Sequence, residues 1–240
     1  MRISSAPPLT PVLRTPVVAA VASVAPARVT VPAQATLALA ASKPPGFGHK
    51  LMRWLAGIPG IHQIGVWFFA LQSRPKPTDP PLDNVGQVAP TLLRGAQPTD
   101  AGFAQLRAQG VTTVINLREE RQAEQGAVRA LGMTYLPMPI TPVGPPTIAQ
   151  GEAFLSAVTD PANGKVFVHC YHGADRTGAM IAIYRIAVDG WPVERALAEL
   201  PAYRFNAQRE QDKVDFVRAF ASHWAAQPAA ARAKVLHTAG

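Results

Sequence analysis

The segment Val166 to Gly178, VFVHCYHGADRTG, constrains this chain more than any other. Lys165 to His169 is mostly β-branched and aromatic and reads as a buried strand. A loop from Cys170 to Arg176 follows, and an apolar helix is expected from Thr177 to Val188, closed by Asp189-Gly190. A buried strand that feeds a helix through a short loop is the unit of an open α/β sheet, which places ligands beyond the carboxyl ends of its strands.

From residue 82 onward the same alternation recurs. Thr91 to Arg94 reads as a short strand, and Thr99-Asp100 caps a helix that ends before Gly110. Val111 to Leu117 is a second buried strand, Gln122 to Leu131 a helix, and Met133 to Ile140 an extended segment. Thr147 caps a helix reaching about Val158, and Asp160 to Gly164 is a turn. Val193 to Leu200 and Gln208 to Trp224 are two further helices, the second amphipathic. The expected fold is therefore α/β, with a single mainly parallel central sheet flanked by helices.

With 240 residues and 48% apolar content the chain can bury a sizeable core, as one domain with extensions or two small ones. The low charged fraction and the absence of G-X-Y or heptad repeats exclude collagen, coiled coils and polyionic tails. Of 23 basic residues, eight lie in residues 1–78, which hold no acid; the other 15 are balanced by 15 acids. The basicity thus belongs to the N-terminal arm, and with a single aromatic, Phe47, before Trp54 it does not suit nucleic acid. Residues 1–48, broken by eight prolines, read as a disordered Pro/Ala-rich arm. Within it, Pro16 to Ala27 has some features of a secretion signal, interrupted by prolines.

Residues 49–78 hold the run Trp54 to Leu71, flanked by Lys50, Arg53, Arg74 and Lys76. At about 18 residues, with Pro59, His62 and Gln63 inside it, the run reads either as a membrane-contact helix over 50–76 or as a helix packed on the folded domain. Cytoplasmic, membrane-associated and secreted locations all stay open, as does the oligomeric state. A proline-rich linker, Ser73 to Pro81, precedes a domain expected over 79–226, and 227–240 is expected to be a flexible tail.

The loop after the buried strand has the chemistry of an anion that must be attacked. The residues Tyr171, His172, Gly173, Ala174, Asp175 and Arg176 can curl their backbone N–H groups inward as a nest for phosphate oxygens, with the helix N-terminus adding positive potential. Gly173 and Gly178 relax the steric limits of a tight turn and a close helix contact. Arg176 offers a planar fork matched to two phosphate oxygens. In such surroundings a thiol is held as thiolate, so Cys170 becomes a nucleophile for phosphorus. Thr177 can donate its hydroxyl to the sulfur as it leaves. The bland alternative, a buried core cysteine beside an ordinary capped helix, does not account for the Arg-Thr-Gly that follows at fixed offset.

The arrangement His169-Cys170-(x)5-Arg176-Thr177 resembles the signature of the cysteine-dependent protein tyrosine and dual-specificity phosphatases. The resemblance extends from about residue 88 to 205 and takes in LLRGAQP at 92–98, VINLREE at 114–120, YLPMPI at 135–140 and the helices of 176–200. It implies hydrolysis of phosphate monoesters without a metal or cofactor, with Cys170 as nucleophile, Arg176 as phosphate ligand and Thr177 assisting sulfur's departure.

The family's general-acid aspartate on a separate upstream loop has no counterpart here. Residues 125–151 contain no carboxylate, and the expected loop reads Thr141-Pro142-Val143-Gly144-Pro145-Pro146. Asp175 is the leading candidate for the acid, its alternative being to orient Arg176; Asp160, in an ordinary turn, ranks behind it. His169 is expected to support the loop by hydrogen bonding. His172 either contacts substrate phosphate or fills the loop wall. The implied partner is a phosphorylated protein, phosphotyrosine first, since the loop lacks the lysines frequent in phosphoinositide-directed relatives. A phosphoinositide or other non-protein ester phosphatase, and a phosphate-binding module without turnover, are the rivals.

Overall fold

The computed structural model describes residues 80–237; the expectations for the arm, the apolar run and most of the linker fall outside these residues. Among these residues five strands form one sheet: β1 (Gly86–Ala89), β2 (Leu92–Gly95), β3 (Thr113–Arg118), β4 (Thr134–Ile140) and β5 (Val166–His169). Their order is β1-β2-β5-β3-β4, with only β1 antiparallel to its neighbour. β5 therefore lies at the centre, and the carboxyl ends of β2, β3, β4 and β5 share one edge of the sheet.

Among the described residues seven α-helices accompany the sheet, the first three connecting strands and the rest following β5: α1 (Asp100–Ala108), α2 (Gln125–Ala130), α3 (Ile148–Thr159), α4 (Asp175–Ala187), α5 (Val193–Glu199), α6 (Gln211–Ala226) and α7 (Ala229–Val235). Successive side chains of a strand point to opposite faces, so each buried strand serves two cores. Leu93, Val114 and Phe167 face a smaller cluster with Phe103, Leu106, Val128 and Tyr135. Leu92, Ile115, Val166 and Val168 face a larger one built with α3, α4 and α6, where Phe154, Met180, Ile183, Val217 and Phe220 meet. This is the two-sided covering that the near-continuous apolar strands imply. The caps read from the sequence form: Thr99 accepts a bond from the Gly102 N–H. Thr147 and Gln150 make a reciprocal capping box on α3.

Three features differ from expectation. β1 is an additional edge strand; GQVA is too short and too mixed in burial to show a period. α4 begins at Asp175, two residues early, which places Asp175 and Arg176 in its first turn. Residues 229–235 of the expected flexible tail form α7, which packs on α3 with Val235 and Leu236 against the larger core. Pro228 starts that helix and the alanines favour it, but it lacks an apolar periodicity long enough to read. Among the described residues no helix is long and apolar enough to cross a membrane.

Candidate active site

β5 delivers His169, fully buried, to the carboxyl edge of the sheet, and Cys170 follows it, also buried. The loop's shape is set by where its carbonyls go. Cys170 O accepts from His169 Nδ1 at 3.1 Å, and Tyr171 O from the Gln97 backbone N–H at 3.0 Å. His172 O accepts from Asn84 Nδ2 at 3.0 Å, and Gly173 O from Arg94 Nη2 at 2.6 Å. In a trans peptide the N–H of the next residue points opposite to the carbonyl. Four carbonyls tied outward thus turn the N–H groups of Tyr171, His172, Gly173 and Ala174 to the other side. Among the described residues none of these four donates to a backbone carbonyl. The result is an anion nest at the start of α4.

Gly173 is indispensable to that turn. Its φ is +68°, and a Cβ there would lie 2.4 Å from the Gly95 carbonyl group.

Arg176 closes the nest from the first turn of α4. Its Nη1 donates to Glu120 Oε2 at 2.7 Å and to Ile140 O at 3.2 Å, and its Nη2 to Glu120 Oε1 at 3.0 Å. The end-on edge of the guanidinium is therefore occupied, while the Nε/Nη2 edge carries no bond among the described residues. Glu120 also accepts from Arg118 Nε at 2.9 Å, and Arg118 Nη1 donates to Gln97 Oε1 at 3.1 Å. Burial pushes the Glu120 carboxyl up, but the hydrogen bonds and charge of Arg176, then the charge of Arg118, outweigh it and hold it at about 2.

The other expected residues divide clearly. Burial lowers His169 to about 3, so the ring is neutral, and its Nδ1–H serves the Cys170 carbonyl. Burial, then the nearby Glu210 charge, raises Asp175 to about 6. Asp175 makes no hydrogen bond to Arg176; the carboxylate that orients that arginine is Glu120. Thr177 is buried in the same turn, and its hydroxyl makes no hydrogen bond among the described residues. His172 is exposed, its ring 4.5 Å from that of Tyr171, on the rim. Gly178 packs in the second turn of α4, where a Cβ would meet Leu200 and Phe205 at 3.3 Å. Asp160 accepts from the Ala162 N–H in the turn before β5, at the opposite end of that strand from the loop.

Sequence reasoning did not single out Asn84, Arg94, Gln97, Arg118 or Glu120. One signal was available for Glu120, a carboxylate just beyond the carboxyl end of a buried strand.

A buried cysteine in an anion nest, closed by an arginine at the carboxyl edge of a four-stranded parallel array, is the site of the cysteine-dependent tyrosine and dual-specificity phosphatases. Residues 79–219 match the model of the family described as "DSP-PTPase phosphatase fused to NAD+ Kinase", and the chain belongs to that family.

Among curated proteins it is similar to the dual specificity protein phosphatase TpbA of Pseudomonas aeruginosa PAO1. The two are 34% identical over 142 residues, covering 58% of this chain and 63% of TpbA, so the chain spans less than two thirds of that relative. It is also 30% identical over 132 residues to mouse protein tyrosine phosphatase domain-containing protein 1, covering 48% of this chain and 18% of the mouse protein. The crystal structure of P. aeruginosa TpbA superposes with a TM-score of 0.52 at 25% identity, covering 62% of this chain and 95% of that one.

Proposed function

We propose that the chain hydrolyses phosphate monoesters, phosphotyrosine in proteins first, through a cysteinyl-phosphate intermediate. The observation that carries this reading is the outward tethering of four consecutive carbonyls, which leaves four N–H groups and the open Nε/Nη2 edge of Arg176 for one phosphoryl group. The Cys170 thiolate attacks phosphorus; an S–P bond forms and the ester P–O bond breaks. Asp175, as the neutral acid, gives its proton to the departing oxygen. Water then attacks phosphorus, the Asp175 carboxylate takes its proton, the S–P bond breaks, and the Thr177 hydroxyl supports the leaving thiolate. Phosphotyrosine is favoured because a solved Cys-to-Ser form of TpbA, 25% identical, is in complex with pTyr.

The test is phosphate release by the full chain from a phosphotyrosine peptide, a phosphoserine peptide and a 3-phosphoinositide, with rapid denaturant quench of a radiolabelled reaction. The expected result is fastest release from phosphotyrosine and label on the peptide containing Cys170. Release without that label would overturn the cysteine mechanism, and preference for the phosphoinositide would overturn the protein substrate.

Asp175→Asn is expected to lower turnover of phenyl phosphate by about 10²-fold, while turnover of p-nitrophenyl phosphate, whose leaving group needs little help, changes little. Because Asp175 is held at about 6, its acid form is lost as pH rises through that value. Phenyl phosphate turnover should therefore fall above pH 6 in the wild type, and this limb should vanish in Asp175→Asn. Equal losses on both esters would remove Asp175 from the acid role.

A further inference from the structure

We propose that Arg94 is a positioning residue for the phosphatase reaction: it holds the loop's Gly173 carbonyl and supplies a buried positive charge that balances the Cys170 thiolate. The inference rests on the reading above for its catalytic meaning. Arg94 lies in β2, in register with Val168 of the central strand, and its side chain is fully buried. Its Nη2 donates to Gly173 O at 2.6 Å, and the guanidinium stands 3.9 Å over the Tyr203 ring. Among the described residues Nε and Nη1 have no hydrogen-bond partner. Burial lowers Arg94 to about 10, which still leaves it charged at neutral pH.

A buried cation is ordinarily paired with an anion. The groups whose charge acts most on Arg94 are Tyr203, Cys170, Glu199 and Arg185. Tyr203 offers a ring face. Glu199 is already gripped by Arg185 from α4, through Nε at 3.1 Å and Nη2 at 2.8 Å. Around the sulfur, Arg176 is bound by Glu120 while its charge also acts on Cys170, His169 is neutral, and Asp175 is the remaining acid of the first turn. Arg94, with no carboxylate bonded to it among the described residues, is thus a second cation beside Arg176 whose charge acts on the thiolate. The same guanidinium that turns the Ala174 N–H inward, by taking the Gly173 carbonyl, thus favours the ionised nucleophile.

The test uses the full chain and reads iodoacetamide alkylation of Cys170 at pH 6 and pH 9.5, together with kcat/KM on p-nitrophenyl phosphate at pH 6. Arg94→Met and Arg94→Gln remove the charge, and Arg94→Lys keeps it. Both neutral variants are expected to slow alkylation at pH 6 about tenfold, with rates at pH 9.5 within about twofold of wild type, since a tenfold change is one charge interaction of modest size. Arg94→Lys should restore most of the pH 6 rate. Circular dichroism confirms which variants keep the wild-type fold, and two neutral variants guard against the loss of one. If a folded neutral variant loses activity yet alkylates at the wild-type rate at pH 6, Arg94 is only scaffold and the proposal fails. Alkylation needs no substrate, so this failure is distinguishable from a wild type that releases no phosphate.

Discussion

Replacing Cys170 with serine is expected to cut phosphate release by at least about 10⁴-fold while leaving binding of a phosphotyrosine peptide intact. A serine hydroxyl holds its proton at neutral pH and needs a base to attack. Burial holds the His169 ring at about 3, too weak a base for that task, with its Nε2 3.7 Å from Glu124, and on the proposed reading Asp175 enters this step as the acid. On the proposed reading the phosphate is held by backbone N–H groups that Gln97, Asn84 and Arg94 fix in place, together with Arg176, and none of these involves the sulfur. Phosphate assays and fluorescence anisotropy on the two forms read the two properties separately. Wild type and Cys170→Ser that bind alike and both fail to turn over would mark a phosphate-binding module instead of an enzyme.

Glu120→Ala should be the most damaging substitution outside the loop. It strands the buried Arg176 and Arg118 without their shared carboxylate, and breaking a buried pair in this way costs about 3–5 kcal/mol. Activity should fall about 10³-fold, because on the proposed reading Arg176 is the phosphate ligand, and misplacing it loses both orientation and charge stabilisation. The acid sensitivity of the fold has a definite sign. Glu120 sits at about 2 against an ordinary 4.5, so its stabilisation is complete above pH 4.5 and is lost as pH falls from there toward 2. The difference amounts to roughly 3 kcal/mol. Thermal unfolding across that window should show a steeper acid decline in wild type than in Glu120→Gln. Parallel declines would mean that the ion pair does not hold this part of the fold.

The legible parts of the molecule are those encoded locally. The strand into Cys170 and the helix after it are adjacent in sequence, and each cap is decided within four residues, as at Thr99 and Thr147. The illegible parts are pairings across long stretches of chain. Asn84 reaches His172 over 88 positions, Arg94 reaches Gly173 over 79, and Glu120 reaches Arg176 over 56. No periodicity records such a partnership. Asp175 shows the same limit: its place in the loop was readable, but Glu210, which helps raise it, comes from the residue capping α6. β1 and α7 escaped for a different reason, being short elements whose apolar residues do not complete a repeat.

The four tethered carbonyls carry a last consequence, for the end of the catalytic cycle. A cradle shaped during folding needs no ordering when an anion arrives, so the arriving group gives up only its own freedom of movement. Nothing in that economy distinguishes the ester from the free phosphate it yields, since the N–H groups and the Arg176 fork meet the same oxygens in both. On the proposed reading the product is a natural competitor of the substrate. Discrimination between them must come from whatever the ester's organic portion touches beyond the rim, near His172 and the Thr141 to Pro146 loop.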